Sequence, residues 1–193
     1  MAIDPVADGR WDAFVHAHPR ATSHHLGAWA SILGSCYGYR PKYIALESDQ
    51  RLTGVLPLVG SGRRLTGSRL SSLPTARAAG PLGASPDDER ALLTAAAEIR
   101  RRERIGSLTV RSEAQGLQVD GMRIASTDVS HVLELGPSDE ELLESYKHTS
   151  QNLYRSIRKA EKSDLIVEES RAERDLRVWY RLYVKTIRKH HNL

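Results

Sequence analysis

Lys42 to Val59 reads KYIALESDQRLTGVLPLV, and this stretch decides what kind of fold the chain adopts. Lys42 to Glu47 alternates apolar and polar side chains, the period of a strand with one buried face. Ser48 to Gln50 is a polar turn, and Arg51 to Val59 follows as a second strand, so the two form a hairpin. Helical patterns precede it. Arg10 to Ala17 carries Trp11, Phe14 and Val15 on one face, with Asp8 placed as N-cap and Pro19 as a stop. His25 to Cys36 repeats Leu26, Trp29, Ile32 and Leu33 at helical spacing and is closed by Gly38.

After the hairpin, Gly60 and Gly62 bend the chain and Arg69 to Leu73 forms a third strand. Pro74 to Ala84 is a loop of small residues. Ser85-Pro86-Asp87-Asp88 starts a helix: an N-cap serine, proline at the first position, acids in the first turn. That helix runs to about Arg104, with Ala91, Leu92, Ala95, Ala96 and Ile99 on its apolar side. Strands follow over Ser107 to Arg111, Met122 to Ser126 and Val129 to Leu135. Helices separated by hairpins and single strands predict a mixed α/β domain of the α+β kind rather than a doubly wound one.

Gly136-Pro137 breaks the chain, which gives a first domain over 1–136 and the beginning of a second over 137–193. Ser138 to Glu141 is a capping box that opens a helix containing Leu142, Leu143 and Tyr146. Thr149 to Val167, TSQNLYRSIRKAEKSDLIV, is a basic helix running into a strand, and Tyr180 to Leu193 is an amphipathic helix. Helix, strand and helix here read as the opening of a second domain. The chain is therefore expected to be the front part of a larger protein, lacking a C-terminal half. An ending at this point predicts exposed apolar surface at Val178, Leu182, Val184 and Ile187.

The 193 residues carry 40% hydrophobic and 27% charged side chains, enough to bury a core and too apolar for disorder by composition. The net charge of +4 is local. Tyr154 to Leu193 holds eleven Lys/Arg against six Asp/Glu, so the residues before it are about neutral. One cysteine, Cys36, excludes an intramolecular disulfide and a cysteine-based zinc site. It follows the second helix, where the dipole disfavours a thiolate, and reads as buried packing or a spare thiol. The start MAIDPVADGR has no secretory pattern, and no apolar run spans a bilayer, so a soluble, cytoplasmic protein is expected. His16, His18, His24 and His25 are close in sequence, but their spacing does not converge on one metal ion.

His25-Leu-Gly-Ala-Trp29, Tyr37-Gly38-Tyr39-Arg40-Pro41, Gly54-Val-Leu-Pro-Leu58 and Ser72-Leu-Pro74 with Gly80-Pro81 resemble the FemAB family. So do Tyr154-Arg-Ser-Ile-Arg-Lys-Ala160 and Tyr183-Val-Lys-Thr186. That family belongs to the GNAT-like acyltransferases and includes the BioF2-like acetyltransferase domains. The resemblance spans the chain but covers only the family's first half and the start of its second. It implies a GNAT-like N-acyltransferase fold and transfer of an aminoacyl or acyl group to an amine of a cell-envelope precursor or related small molecule. Aminoacyl-tRNA or acyl-CoA would be the co-substrate, with no tightly bound cofactor. Two positions depart from the pattern. Leu33, four residues after Trp29, stands where bridge-forming members carry a lysine that helps hold the precursor. An arginine before a His-Gly pair in similar members aligns with His190, and Arg188 and Lys189 lie close enough to substitute.

The common acetyl-CoA loop, Arg/Gln-x-x-Gly-x-Gly/Ala between a strand and a helix, has one near match at Arg64 to Arg69, which reads better as a turn. The stronger candidate is the basic helical face. Arg155, Arg158, Lys159 and Lys162 share one side at three- and four-residue spacing, with Tyr154 and Ile157 bracketing the other. With Lys185, Arg188, Lys189 and His190 they outline a groove for a diphosphate or a tRNA end. The same pattern suits a non-catalytic module that holds RNA or a phosphate-bearing glycolipid, and equally a solvated helix surface. Trp29 and Trp179 are expected as core anchors.

Overall fold

The computed structural model describes residues 1–191 except 63–66, 75, 114–115, 118, 130, 132, 134, 137 and 164. The chain divides into two units, Met1–Thr127 and Asp128–Leu193. The expected break at Gly136-Pro137 falls partly outside the described residues, because it includes position 137.

The first unit is a mixed α/β structure. In chain order it contains α1 (Arg10–Ala17), α2 (Ala28–Tyr37), β1 (Arg40–Pro41), β2 (Ile44–Ser48), β3 (Arg51–Leu56), β4 (Leu58–Ser61), β5 (Arg69–Ser72), β6 (Leu82–Gly83), α3 (Pro86–Arg102) and β7 (Ser107–Thr109). The β2–β3 hairpin forms as its sequence predicts. Asp49 and Gln50 turn it with φ of 49° and 64°, the left-handed pair whose twist matches that of two antiparallel strands.

The continuous strand expected over Arg51 to Val59 is instead two strands in two sheets. One sheet runs β2-β3-β6 and the other β1-β4-β5-β7, with β5 and β7 parallel and the remaining pairs antiparallel. The chain changes sheet at Pro57, which has no N–H to donate to a ladder. Gly60 lies inside β4, opposite Arg40 and Leu70, rather than at a bend. Within the expected loop 74–84, Leu82 and Gly83 pair with Val55 and Gly54 as a short edge strand.

Both faces of the sheets are covered. Tyr43, Ala45, Val55 and Val59 pack with Trp11 and Val15 of α1 and Leu33 of α2. Ile44, Leu56, Leu58 and Leu70 turn to the other face and pack with Leu92, Leu93 and Ala96 of α3. Alternate side chains along one strand thus enter opposite cores. Burying Leu56 alone contributes about 2 kcal/mol.

Helix α2 begins at Ala28, not at His25. Ser23–His25 is a separate 3-10 turn, Leu26 is extended, and the Asp12 carboxylate accepts the Gly27 N–H at 2.8 Å. A Cβ at Gly27 would lie 2.2 Å from the Pro5 carbonyl oxygen, so close backbone approach sets this start rather than periodicity. The N-cap of α1 is Gly9, although Asp8 Oδ1 still accepts the Arg10 N–H at 3.1 Å. Helix α3 starts at its serine cap as expected, but its buried stripe is Glu89, Leu92, Leu93 and Ala96, with Ala91 exposed. The strand expected over Ser107 to Arg111 ends its ladder at Thr109. Beyond it, the Arg111 N–H donates to the Ser72 hydroxyl at 2.9 Å.

The strands expected over Met122 to Ser126 and Val129 to Leu135 are not formed at the described positions. Positions 130, 132 and 134 lie outside them. Ile124 is 74% exposed and Val129 81%, so neither segment finds the apolar face that would hold a strand.

The second unit contains α4 (Asp139–Thr149), α5 (Gln151–Glu161) and α6 (Glu173–His191). Ser138 caps α4 as predicted, its hydroxyl accepting the Glu141 N–H at 3.2 Å. The strand expected to end at Val167 has no ladder partner among the described residues, and Leu165, Ile166 and Val167 are exposed. A strand needs a neighbour to take its N–H and C=O groups.

Candidate functional site

The predicted basic residues all fall on helices of the second unit. On α5, Arg155 donates to Gln151 Oε1 at 3.3 Å. Arg158 is held more firmly: Nε donates to the Tyr154 hydroxyl at 3.3 Å, Nη1 to Glu161 at 2.9 Å, and the guanidinium lies 5.4 Å from the Tyr154 ring centroid. Those two hydrogen bonds, the Tyr154 one foremost, push the Arg158 pKa up, so it is a fixed cation. Tyr154 therefore supports the basic side rather than bracketing the opposite one. Lys159 and Lys162 are exposed on the same helix face. Lys185, Arg188, Lys189 and His190 are exposed along the last turns of α6. Helix α4 packs against α5, whereas α6 does not pack extensively on either.

Of the two tryptophans expected as core anchors, Trp29 packs on the first core and Trp179 does not. Trp29 is half-buried at the edge of the first core and stacks on His24 at 5.1 Å. Trp179 is 57% exposed and stacks on Tyr183 at 5.4 Å. The reason is that the apolar face of α6 has no core to enter among the described residues. Val178 and Leu182 are exposed with it, as an unpartnered final helix predicts, while Val184 and Ile187 are half-buried. Cys36 lies inside the last turn of α2 and is exposed, so it is a spare thiol, not a packing residue. Arg64 to Thr66 of the near-match loop lie outside the described residues.

The first unit carries a polar cluster that periodicity did not single out. His25 is buried, and its Nδ1 accepts the Thr22 N–H at 3.1 Å, with the Thr22 hydroxyl at the same distance. This leaves Nε2–H to donate to the Gly80 carbonyl at 3.2 Å. Burial holds the His25 pKa below its ordinary value, so the ring is neutral. His18 is arranged alike: Nδ1 accepts the Arg20 N–H, and Nε2–H donates to the Gly83 carbonyl at 3.2 Å. Two imidazoles thus satisfy one carbonyl of β6, an edge strand, and one just before it.

Beside them, the buried carboxylate of Glu89 pairs with Arg20. A Cβ at Gly83 would lie 2.8 Å from Glu89 Cγ and from the Ser85 carbonyl oxygen, so only glycine lets α3 settle here. Next to Glu89, Asp88 accepts from the Ser85 hydroxyl at 2.7 Å and the Thr53 hydroxyl at 3.3 Å. His18, Arg20, Ser85 and Glu89 border a groove of about 790 Å³ whose walls include Phe14, Pro19, Pro86 and Leu117. Its lining joins these apolar walls to the Arg20–Glu89 pair, of which only the carboxylate is buried. Glu89 had one signal in the sequence: it stands at helical spacing to Leu92, Leu93 and Ala96, where an apolar side chain belongs.

Among the described residues, no three of the His, Cys, Asp and Glu side chains gather as metal ligands, and no helix is long and apolar enough to cross a membrane. Compared with known proteins, the chain matches no family model and no curated protein.

Proposed function

We propose that this chain is part of a FemAB-like N-acyltransferase with a GNAT-like fold, acting in the cytoplasm. In this reading, an amine of a cell-envelope precursor or related small molecule attacks an activated acyl ester or thioester, supplied by aminoacyl-tRNA or acyl-CoA. Backbone and basic donors stabilise the oxyanion of the tetrahedral intermediate. Arg155, Arg158, Lys159, Lys185, Arg188, Lys189 and His190 are the residues assigned to the phosphate-bearing partner.

One observation carries the reading. Two pairs of the stretches that resemble the family, apart in sequence, meet in the first unit. His25 bonds Gly80 and Leu58 pairs with Ser72, while Arg40 and Pro41 pair with Gly60 and Val59, just past the Gly54–Leu58 stretch.

The test is transfer of a radiolabelled acyl group to a panel of amines from aminoacyl-tRNA and from acyl-CoA, alongside donor binding at low and moderate salt. Donor binding that weakens about tenfold in Arg158→Glu with Lys159→Glu is the expected result. A full-length version that transfers from neither donor sinks the enzyme reading. The exposed cations of α5 favour a second one, a non-catalytic module for RNA or a phosphate-bearing glycolipid. Salt-dependent binding without any transfer selects it.

A further inference from the structure

Helix α6 separates its side chains into two opposed stripes. Arg174, Arg177, Arg181, Lys185 and Arg188 recur at three- and four-residue steps along one side. Leu176, Trp179, Tyr180, Tyr183 and Ile187 do so along the other. From Leu176 through Lys189 there are five basic residues and no acidic one, while just before them Glu173 pairs with Arg177 and Asp175 with Arg174. The second stripe is open: Leu176 is 61% exposed, Trp179 57% and Tyr180 58%. Its rings form a continuous aromatic strip, with Trp179 5.4 Å and Tyr180 6.4 Å from Tyr183.

From this pattern we infer that α6 docks in the plane of an anionic lipid bilayer. Trp and Tyr have apolar bodies and polar tips, the combination that settles at the boundary between headgroups and acyl chains. Long arginine and lysine side chains on the opposite, polar face bend back toward lipid phosphates. The charge sign selects an anionic surface. No described helix is apolar enough to span a membrane, so α6 lies along the surface, covering about 28 Å. RNA fits less well. A single-stranded nucleic acid needs its stacking rings beside the cations that hold its phosphates, and here rings and cations are on opposite sides. The inference does not require acyl transfer, although Lys185 and Arg188 of the stripe are also assigned to the acyl donor.

The experiment is co-sedimentation of the full chain with vesicles of phosphatidylcholine, with and without about one-third phosphatidylserine. Expected is binding at least about tenfold stronger to the anionic vesicles, weakening with salt. Arg177→Glu with Arg181→Glu should lower it about tenfold, and Trp179→Ser with Tyr183→Ser should do the same. Neither pair belongs to the residues assigned to the acyl donor, so loss of membrane binding and loss of transfer are read separately. All four positions are exposed, and circular dichroism checks the fold. As a second readout on the unaltered chain, lipids brominated near the headgroup should quench tryptophan emission. Absence of quenching, equal binding to neutral vesicles, or binding to a single-stranded RNA but not to vesicles overturns the inference. So does a dimer that binds no vesicles.

Discussion

Tyr43 is buried against Trp11, ring centroids 5.0 Å apart, yet its hydroxyl has no hydrogen-bond partner among the described residues. Burial pushes its pKa up, so the group stays neutral. A buried hydroxyl without a partner loses its water for nothing in return. Tyr43→Phe is therefore expected to stabilise the fold by about 1 kcal/mol in urea unfolding; a clear loss would show that the hydroxyl is bonded. The Arg20–Glu89 pair acts in the opposite sense. Arg20→Met leaves a buried carboxylate alone, and about 2 kcal/mol of stability should go. That figure sits below the usual cost for a fully buried pair, because Arg20 is 41% exposed and water screens its charge. Adding Glu89→Gln should restore much of the loss, since the stranded charge is then gone. If the double variant is no better than the single one, Arg20 matters for packing instead.

At the scale of elements, what the sequence shows depends on how local the cause is. The β2–β3 turn and the serine caps of α3 and α4 each rest on a few adjacent residues, and they stand where the pattern places them. The start of α2 rests on Asp12 and Pro5, which no window around Gly27 contains. Pro57 was visible as a residue, but a proline between two apolar runs does not say that the second run joins another sheet. Periodicity found α3 and most of its buried side, Leu92, Ala95, Ala96 and Ile99, but not Glu89, whose polar side chain is buried with Arg20 as a partner from another part of the chain. The basic residues of α5 and α6 were legible as spaced charges. The histidine and glutamate cluster was not, because its members converge only after β6 pairs with β3. Expected strands that found no neighbour failed for a related reason: an extended segment becomes a strand only beside another.

For the molecule as a whole, acid is the informative stress. In the unfolded chain a histidine takes up its proton near 6.5, and burial places the folded His25 lower. Between those two values the unfolded chain binds more protons than the folded one. The folded form thus holds its full advantage above about 6.5 and loses it as the pH falls below that value. The urea midpoint is expected to drop between about pH 7.5 and pH 5.5. The drop should be smaller in His25→Gln, whatever that variant does to the midpoint at neutral pH. An equal drop in both proteins would assign the acid sensitivity to other groups.

The passage of the chain through Pro57 has a further consequence. Because β3 and β4 are consecutive in the chain and belong to different sheets, one covalent stretch is shared by both ladders. Its side chains also enter both apolar layers, Val55 and Val59 on one side, Leu56 and Leu58 on the other. Neither sheet can fray far without pulling the segment that anchors its neighbour. The amides of the two sheets should therefore exchange with solvent through one common opening, giving the first unit a single breaking point rather than a graded one.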